Sequence, residues 1–380
     1  MKAFNNFRIK TDKTRKPSVL MFDAAYPPPV VGGKEKQAHL LAKALKEMGL
    51  DVEALSYIHN GNKSAPYEGV YVERVPNTIL SLVFVFLAIL KKRSRFNLLH
   101  IHTPSRIGRF AALVGWLAGY QVIFKFPNEY LLDNLRAVDR WFWRVVLSTA
   151  SLFVVLENKT KARLESINVG NQRIFHVANG VCMGPLKNRS IDHNYVKLVF
   201  VGRLTAQKCC DQLIYACDLL ARRGIHFHLE IVGDGPLRDE LQSLVRELGH
   251  EANISFLGHQ SNIFSHLTTA DVLVLPSEKE GMSNVILEAI SIGVPVVATD
   301  VGSVRSQVGD FGEQFLCEPY NPDCLADKIE RLVKNPQLYL EFGQYLHTRG
   351  HKIFSMDTVA SQYVEKYFEL LKKNDSNRSH

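Results

Sequence analysis

The sequence predicts an α/β protein built from two successive parallel-sheet domains. Three observations carry this. Short apolar runs alternate with helical patterns, the alternation breaks near the middle of the chain, and it restarts with the same rhythm. At 380 residues the chain is long for one core and comfortable for two.

The first half opens with "PSVLMFDAA" (17–25), an apolar run ending in small residues, followed by the turn-rich "YPPPVVGG". "KEKQAHLLAKALKEMG" (34–49) places Ala38, Leu41, Ala42 and Leu45 at helical spacing and stops at Gly49, a helix-ending signal. With "DVEALSY" as the next strand, this is a βαβ unit. "NLLHIHT" (97–103) and "YQVIFKF" (120–126) read as buried strands around the helical "RIGRFAALVGWLAG". "ASLFVVLE" (150–157) and "QRIFHVANG" (172–180) continue the alternation.

"VCMGPLKNRSIDHNY" (181–195) loses the pattern and reads as a linker. The second half then runs "VKLVFVG" as strand, "CDQLIYACDLLARRG" as helix, "FHLEIVG" as strand and "PLRDELQSLVRELG" as helix. "ISFLG", "DVLVLP" and "VPVVATD" add strands. The tail 354–373 repeats Val359, Tyr363, Tyr367 and Leu370 at three- or four-residue steps, which predicts a closing helix before a frayed "NDSNRSH". The expected divisions are a basic tail over 1–16, an N-terminal domain over 17–185, a C-terminal domain over 186–353 and the closing segment 354–380. Ligands of such sheets bind at the carboxyl ends of strands, so a cleft between the domains is the expected site.

Composition narrows the class. A hydrophobic content of 46% with 22% charged residues argues against disorder and against a membrane-spanning class. The six cysteines form no CxxC pair and no zinc spacing, and no secretory signal opens the chain, so a reduced, cytoplasmic protein is expected. The charge is uneven. Residues 1–185 hold 26 basic and 13 acidic side chains, and the remainder holds 20 and 25. A basic half favours an anionic partner: a phosphorylated substrate, an anionic membrane face or nucleic acid. "TILSLVFVFLAILKKRSR" (78–95) is too short in its apolar part to span a bilayer. It is either a buried helix or one lying in the membrane interface, with Phe84 and Phe86 in lipid and Lys91, Lys92, Arg93 and Arg95 on lipid phosphates.

The chemistry concentrates in "EGMSNVILEA" (280–289). Gly281 frees the backbone, Ser283 or Asn284 can cap the helix that follows, and the unpaired N–H groups of its first turn favour an anion. Glu280 would repel that anion, so it suits neutral hydroxyls beside a phosphate. Glu288, further along the helix, can take a second set of hydroxyls if it faces the cleft. A diphosphate flanked by two hydroxyl-binding carboxylates is what a nucleotide-sugar requires. Alternatively, Glu280 is an exposed loop residue and Glu288 a helix-surface one.

This stretch resembles the E-x7-E motif of retaining glycosyltransferases of family 4, which have the GT-B fold of two facing Rossmann-like domains with a C-terminal helix crossing back. "YPPPVVGGKEKQAHLLAKAL", "VANGV", "VGRLTAQKCCDQLI", "VGDGP", "FLG" and "GVPVVATDVGS" resemble further family segments in the same order. The likeness runs from about residue 17 to 373, and ordered motifs in the right strand–helix context are specific. It implies that Gly32 and Gly33 admit the donor and that Gly202, Arg203 and Lys208 hold the diphosphate. Arg203 and Lys208 would also stabilise the leaving nucleoside diphosphate. It further implies Glu280 near the donor sugar, Glu288 near the ribose, and the backbone of Gly281, Met282 and Ser283 on the phosphates. Glu280, Arg203 and Lys208 are the catalytic candidates. No D-x-D is present, and neither a metal nor another cofactor is expected; the nucleotide-sugar is a substrate.

The chain departs from the family at several points. The loop after "QVIFKF" reads "PNEYLL" where many relatives carry a histidine, and Lys125, Asn128 or Glu129 can take its place. His102 matches a familiar strand-end histidine, which can equally be structural. Cys209 stands where glycine is common, so the loop either needs no positive φ there or is strained. Ser306 replaces an acidic residue, and Cys182 replaces the Asp of "NGVD".

The expected function is retaining transfer from a nucleotide-sugar, a UDP-sugar by preference. The acceptor is lipid-linked or a polysaccharide, and the enzyme is peripheral on the inner face of the cytoplasmic membrane. The alternative is a catalytically silent homologue serving a polysaccharide assembly complex. A nucleic-acid binder is disfavoured because the basic residues are dispersed and no recognition module is present. A nicotinamide dehydrogenase is disfavoured because "VVGGKE" is not the dinucleotide fingerprint.

Overall fold

A computed structural model describes residues 16–28, 32–59, 61–78, 80–126, 137–187, 191 and 195–378. Contacts divide the chain into unit 1, Met1–Val177 with Ala360–His380, and unit 2, Ala178–Val359.

Unit 1 begins β1 (Ser18–Phe22), α1 (Gly33–Glu47), β2 (Asp51–Tyr57), β3 (Ala65–Tyr67), β4 (Val70–Val75) and α2 (Ser81–Lys92). It continues β5 (Leu98–Ile101), α3 (Arg106–Leu117), β6 (Gln121–Phe126), α4 (Ala137–Thr149), β7 (Leu152–Val155), α5 (Asn158–Ser166) and β8 (Ile174–His176). Its sheet has the order β3-β4-β2-β1-β5-β6-β7-β8. All pairings are parallel except the β3–β4 hairpin. The inner strands are buried on both faces, which is why they read as continuous apolar runs.

Unit 2 begins β9 (Tyr195–Val201), α6 (Cys210–Arg222), β10 (His226–Val232), α7 (Arg238–Glu247), β11 (Ile254–Gly258), α8 (Ile263–Thr269) and β12 (Val272–Leu275). It continues α9 (Asn284–Ile292), β13 (Val296–Thr299), α10 (Val304–Gly312), β14 (Leu316–Cys317), α11 (Pro322–Val333) and α12 (Pro336–Arg349). Its sheet order is β11-β10-β9-β12-β13-β14, parallel throughout. In each unit the chain lays strands to one side of its first strand and then crosses to the other. The switch points therefore lie between β1 and β5 and between β9 and β12, where open α/β sheets bind ligands.

The last helix, α13 (Met356–Arg378), buries Val359, Tyr363, Tyr367 and Leu370 as their spacing predicts. It also runs to Arg378, through most of the segment expected to fray. "NDSNR" contains no Gly or Pro to stop it. Within unit 1 the Tyr367 hydroxyl lies 2.8 Å from His100 Nδ1, and Tyr363 packs edge-on against Phe175.

Helix α2 fits neither expectation whole. Val85, Ala88 and Ile89 are buried, while Leu82, Val83, Phe86, Leu87 and Leu90 are exposed. Phe84 packs against the core. Three of the four basic residues expected on lipid are engaged by protein partners instead. Lys92 pairs with Glu53 and Glu73, Arg93 donates to the carbonyls of Ala118 and Gly119, and Arg95 pairs with Asp51. The cysteines are not all reduced either. Cys317, ending β14, is bonded to Cys324 in the first turn of α11, because that strand-to-helix turn brings their Cα atoms to 5.9 Å.

Candidate active site

At the switch point of unit 2, β9 ends at Val201 and the chain turns outward through Gly202 to the exposed Arg203. A single helical turn, Ala206–Lys208, then presents Lys208. Its Nζ lies 2.5 Å from Oε1 of Glu280, in the turn after β12, and the Ser277 hydroxyl donates to the same oxygen at 2.7 Å. Backbone ties fix the two loops together. The Glu278 N–H donates to the Gln207 carbonyl at 2.9 Å, and Gln207 Nε2 donates to the Lys279 carbonyl at 2.9 Å. Glu280 is therefore neither free nor simply exposed; it is held by a lysine 72 residues earlier.

Two glycines permit this crowding. A Cβ on Gly302, at φ +57°, would stand 1.9 Å from the Glu280 carbonyl oxygen, and one on Gly233, at φ +136°, 1.9 Å from that of Gly202. Only glycine accepts both the conformation and the approach. Cys209 does not have that freedom, yet it adopts φ +46°, ψ +43°. Of the two sequence alternatives the strained one holds, at a cost of about 1 kcal/mol for a left-handed non-glycine residue.

Ser283 occupies the N-cap position of α9, but its side chain makes no capping bond. Its N–H donates instead to Gln307 Oε1 at 3.1 Å, and Gln307 Nε2 returns a bond to the Ser283 carbonyl at 2.8 Å. The Ser283 amide expected on a phosphate is thus already engaged. The "VANGV" segment braces the same turn: the Asn179 N–H meets Met282 Sδ at 3.0 Å, and Asn179 Nδ2 donates to Asn284 at 3.3 Å. Glu288, on the second turn of α9, is only 4% exposed. This excludes the helix-surface alternative, since a carboxylate is not enclosed without a partner that compensates for lost water.

At the switch point of unit 1, Asp23 follows β1, His102 follows β5, and Lys125 lies in β6; all three are buried. Lys34, in the first turn of α1, brings its Nζ to 3.6 Å from Asp23. Burial raises the Asp23 carboxyl to about 6, against the pull of Lys34. Burial also lowers Lys125 to about 8, opposed by Asp23, and holds His102 far below the usual imidazole range, with His100 and Lys125 adding to the effect. Gly32 precedes α1 with extended backbone, which any residue adopts, and Gly33 begins the helix. Among the described residues, the neighbour a Cβ on Gly32 would meet within 4 Å is the Glu35 carboxyl group. Asn128 and Glu129 lie outside the described residues.

Sequence reasoning missed Asp23 and Arg74. Arg74 donates to the carbonyls of Tyr26, Tyr57, Pro27 and Pro28, pinning the chain just after β1. A carboxylate closing the apolar "SVLMFD" was the available signal for Asp23; nothing local marked Arg74. Cys182 is exposed and not part of the disulfide, and the Ser306 hydroxyl turns back to the Ser303 carbonyl at 2.8 Å.

Comparison with known proteins accounts for both units. Residues 31–183 match the model described as Glycosyltransferase Family 4, and residues 186–349 match Glycosyl transferases group 1. EpsD of Bacillus subtilis (strain 168) is 32% identical over 333 residues, covering 80% of this chain and 85% of that protein. An uncharacterized glycosyltransferase of Haemophilus influenzae is 26% identical over 350 residues, covering 90% and 96%. In fold, the chain is similar to the crystal structure of Anabaena HepE in complex with UDP and glucose. The TM-score is 0.76 at 18% sequence identity, covering 92% of this chain and 98% of that one. The chain belongs to glycosyltransferase family 4 and has the GT-B fold.

Proposed function

We propose that this glycosyltransferase moves a sugar from a UDP-sugar, with retention of anomeric configuration and without a metal ion. The acceptor is a lipid-linked or polysaccharide glycan at the cytoplasmic membrane face. The observation that carries the reading is the Lys208–Glu280 pair, held at a switch point beside the glycine turn that starts α9. The HepE complex with UDP and glucose supports the donor class by analogy. The basic balance of residues 1–185 supports an anionic acceptor environment.

The pair suggests how the donor is received. In its absence Lys208 and Glu280 neutralise each other, so neither charge is left exposed alone. A diphosphate at the start of α9 competes for Lys208, and Arg203 adds a second cation from the outer side of the same loop. Gly281 and Met282 supply amides, and Glu280, once released, accepts hydroxyls of the donor sugar. Glu288 takes the ribose. In the transfer itself the acceptor oxygen bonds to the anomeric carbon on the face from which the phosphate oxygen departs. The electron pair of the broken bond leaves with UDP, and the acceptor proton passes to the departing phosphate. Arg203 and Lys208 stabilise the charge that grows there.

Thermal shift against UDP, GDP, ADP and their sugars tests this, with Glu288→Ala alongside. A ligand at a hundred times its Kd adds about 2.7 kcal/mol, and the uridine series is expected to raise the melting temperature of the wild type only. A response to guanosine or adenosine nucleotides instead, or an undiminished response in Glu288→Ala, would overturn the assignment.

A further inference from the structure

Unit 1 carries an apolar surface that the transfer chemistry does not use. Helix α2 is apolar nearly all round: Val85, Ala88 and Ile89 enter the core, while Leu82, Val83, Phe86, Leu87 and Leu90 form an exposed stripe, Leu87 being 54% exposed. A helix of this kind is buried in a protein or in lipid. Its neighbour α3 ends beside it, since Arg93 just after α2 donates to the carbonyls of Ala118 and Gly119. There α3 exposes Trp116 and Leu117, the latter at 68%. Patches of this kind mark interaction sites.

Charge identifies the occupant. Neither α2 nor α3 contains an acidic residue, and α4, which packs on α3, contains one. Across the row of packed helices α2, α3 and α4 the exposed cations are Lys91, Arg106, Arg140 and Arg144, and α4 exposes Trp141 beside the last two in sequence. An aliphatic stripe that shares its helical layer with exposed tryptophans and cations suits the boundary between acyl chains and anionic headgroups. At 12 residues α2 is about 18 Å long. Among the described residues no helix is long and apolar enough to cross a membrane. We infer that the α2 stripe with the end of α3 lies in the plane of an anionic bilayer and seats unit 1 on it, with Lys91, Arg140 and Arg144 on lipid phosphates. This deepens the membrane-face reading above and rests on it.

The test is co-sedimentation of the full chain with phosphatidylcholine vesicles containing about one-third phosphatidylglycerol or none, comparing wild type, V83E/L87E and R140E/R144E. Wild type is expected to partition onto the anionic vesicles, less so as salt rises. V83E/L87E is expected to lose about a hundredfold in partitioning, the equivalent of two apolar side chains kept out of hydrocarbon. R140E/R144E is expected to lose the preference for anionic lipid. Each substitution is at an exposed position, and an unchanged melting temperature confirms folding. Wild type that ignores both vesicle types, or V83E/L87E that binds as well as wild type, overturns the proposal. So does a wild-type dimer in sedimentation velocity that V83E/L87E dissociates while vesicles bind neither protein, because the stripe then covers a second copy. The UDP-induced thermal shift is read without lipid, so a failed donor assignment and a failed docking surface are distinguishable.

Discussion

The two switch points handle charge in opposite ways. In unit 2 the opposed charges, Lys208 and Glu280, touch each other and keep some contact with solvent, at 22% and 9% side-chain exposure. In unit 1, Asp23, His102 and Lys125 are enclosed, and burial is the largest cause of the shift in each. A paired, partly wet charge is cheap to keep and easy to exchange for a ligand. A buried one opposes folding and is retained only if the site needs a group with altered proton affinity. Loss of the first kind should damage turnover, and loss of the second should change stability.

The largest effect is expected at Lys208. Lys208→Ala should lower turnover by about two to three orders of magnitude, the scale for a lost charge-stabilising donor. Its unfolding free energy should change by less than about 1 kcal/mol, as for other partly solvated ion pairs. Steady-state kinetics beside urea denaturation separates the two readouts; a large stability loss would erase the contrast.

Asp23 should show the reverse. Its folded carboxyl binds a proton more tightly than the unfolded one, so its favourable contribution is complete below pH 3.8 and is lost as pH rises toward about 6. Asp23→Asn never ionises. Relative to wild type it should gain on the order of 2 kcal/mol between those limits. Denaturation midpoints of both proteins across the acid range check the sign, and a gain appearing as pH falls would refute it.

The smallest change concerns Cys209, which joins the Lys208 turn to α6 with left-handed backbone. Cys209→Gly relieves about 1 kcal/mol of strain but loses a small buried side chain, leaving stability within about 1 kcal/mol of wild type. Unchanged kinetics would show that the strain belongs to the fold and not to the placement of Lys208.

The alternation of strands and helices was legible because buried parallel strands are continuous apolar runs, and α13 because its apolar spacing is regular. Glu288 was legible as an anomaly, a carboxylate inside "NVILEAI". Its enclosure required the packed structure. The Lys208–Glu280 pair and the Gln307 clasp on Ser283 join residues 72 and 24 positions apart, and no local pattern encodes such distances. The β3–β4 hairpin was missed because β3 is three residues long and contains Pro66, which demotes a strand signal. Helix α2 was ambiguous for a physical reason: apolar content reports a low affinity for water but not whether protein or lipid replaces it.

The return of α13 has a consequence for how the protein is made. Unit 1 consists of Met1–Val177 together with Ala360–His380, so unit 2 is an insertion between two parts of its host. During synthesis the first part emerges without Tyr363 and Tyr367, the side chains that cover His100 and Phe175. Unit 2, whose residues are contiguous, can close as it leaves the ribosome. The domain begun first is the one completed last.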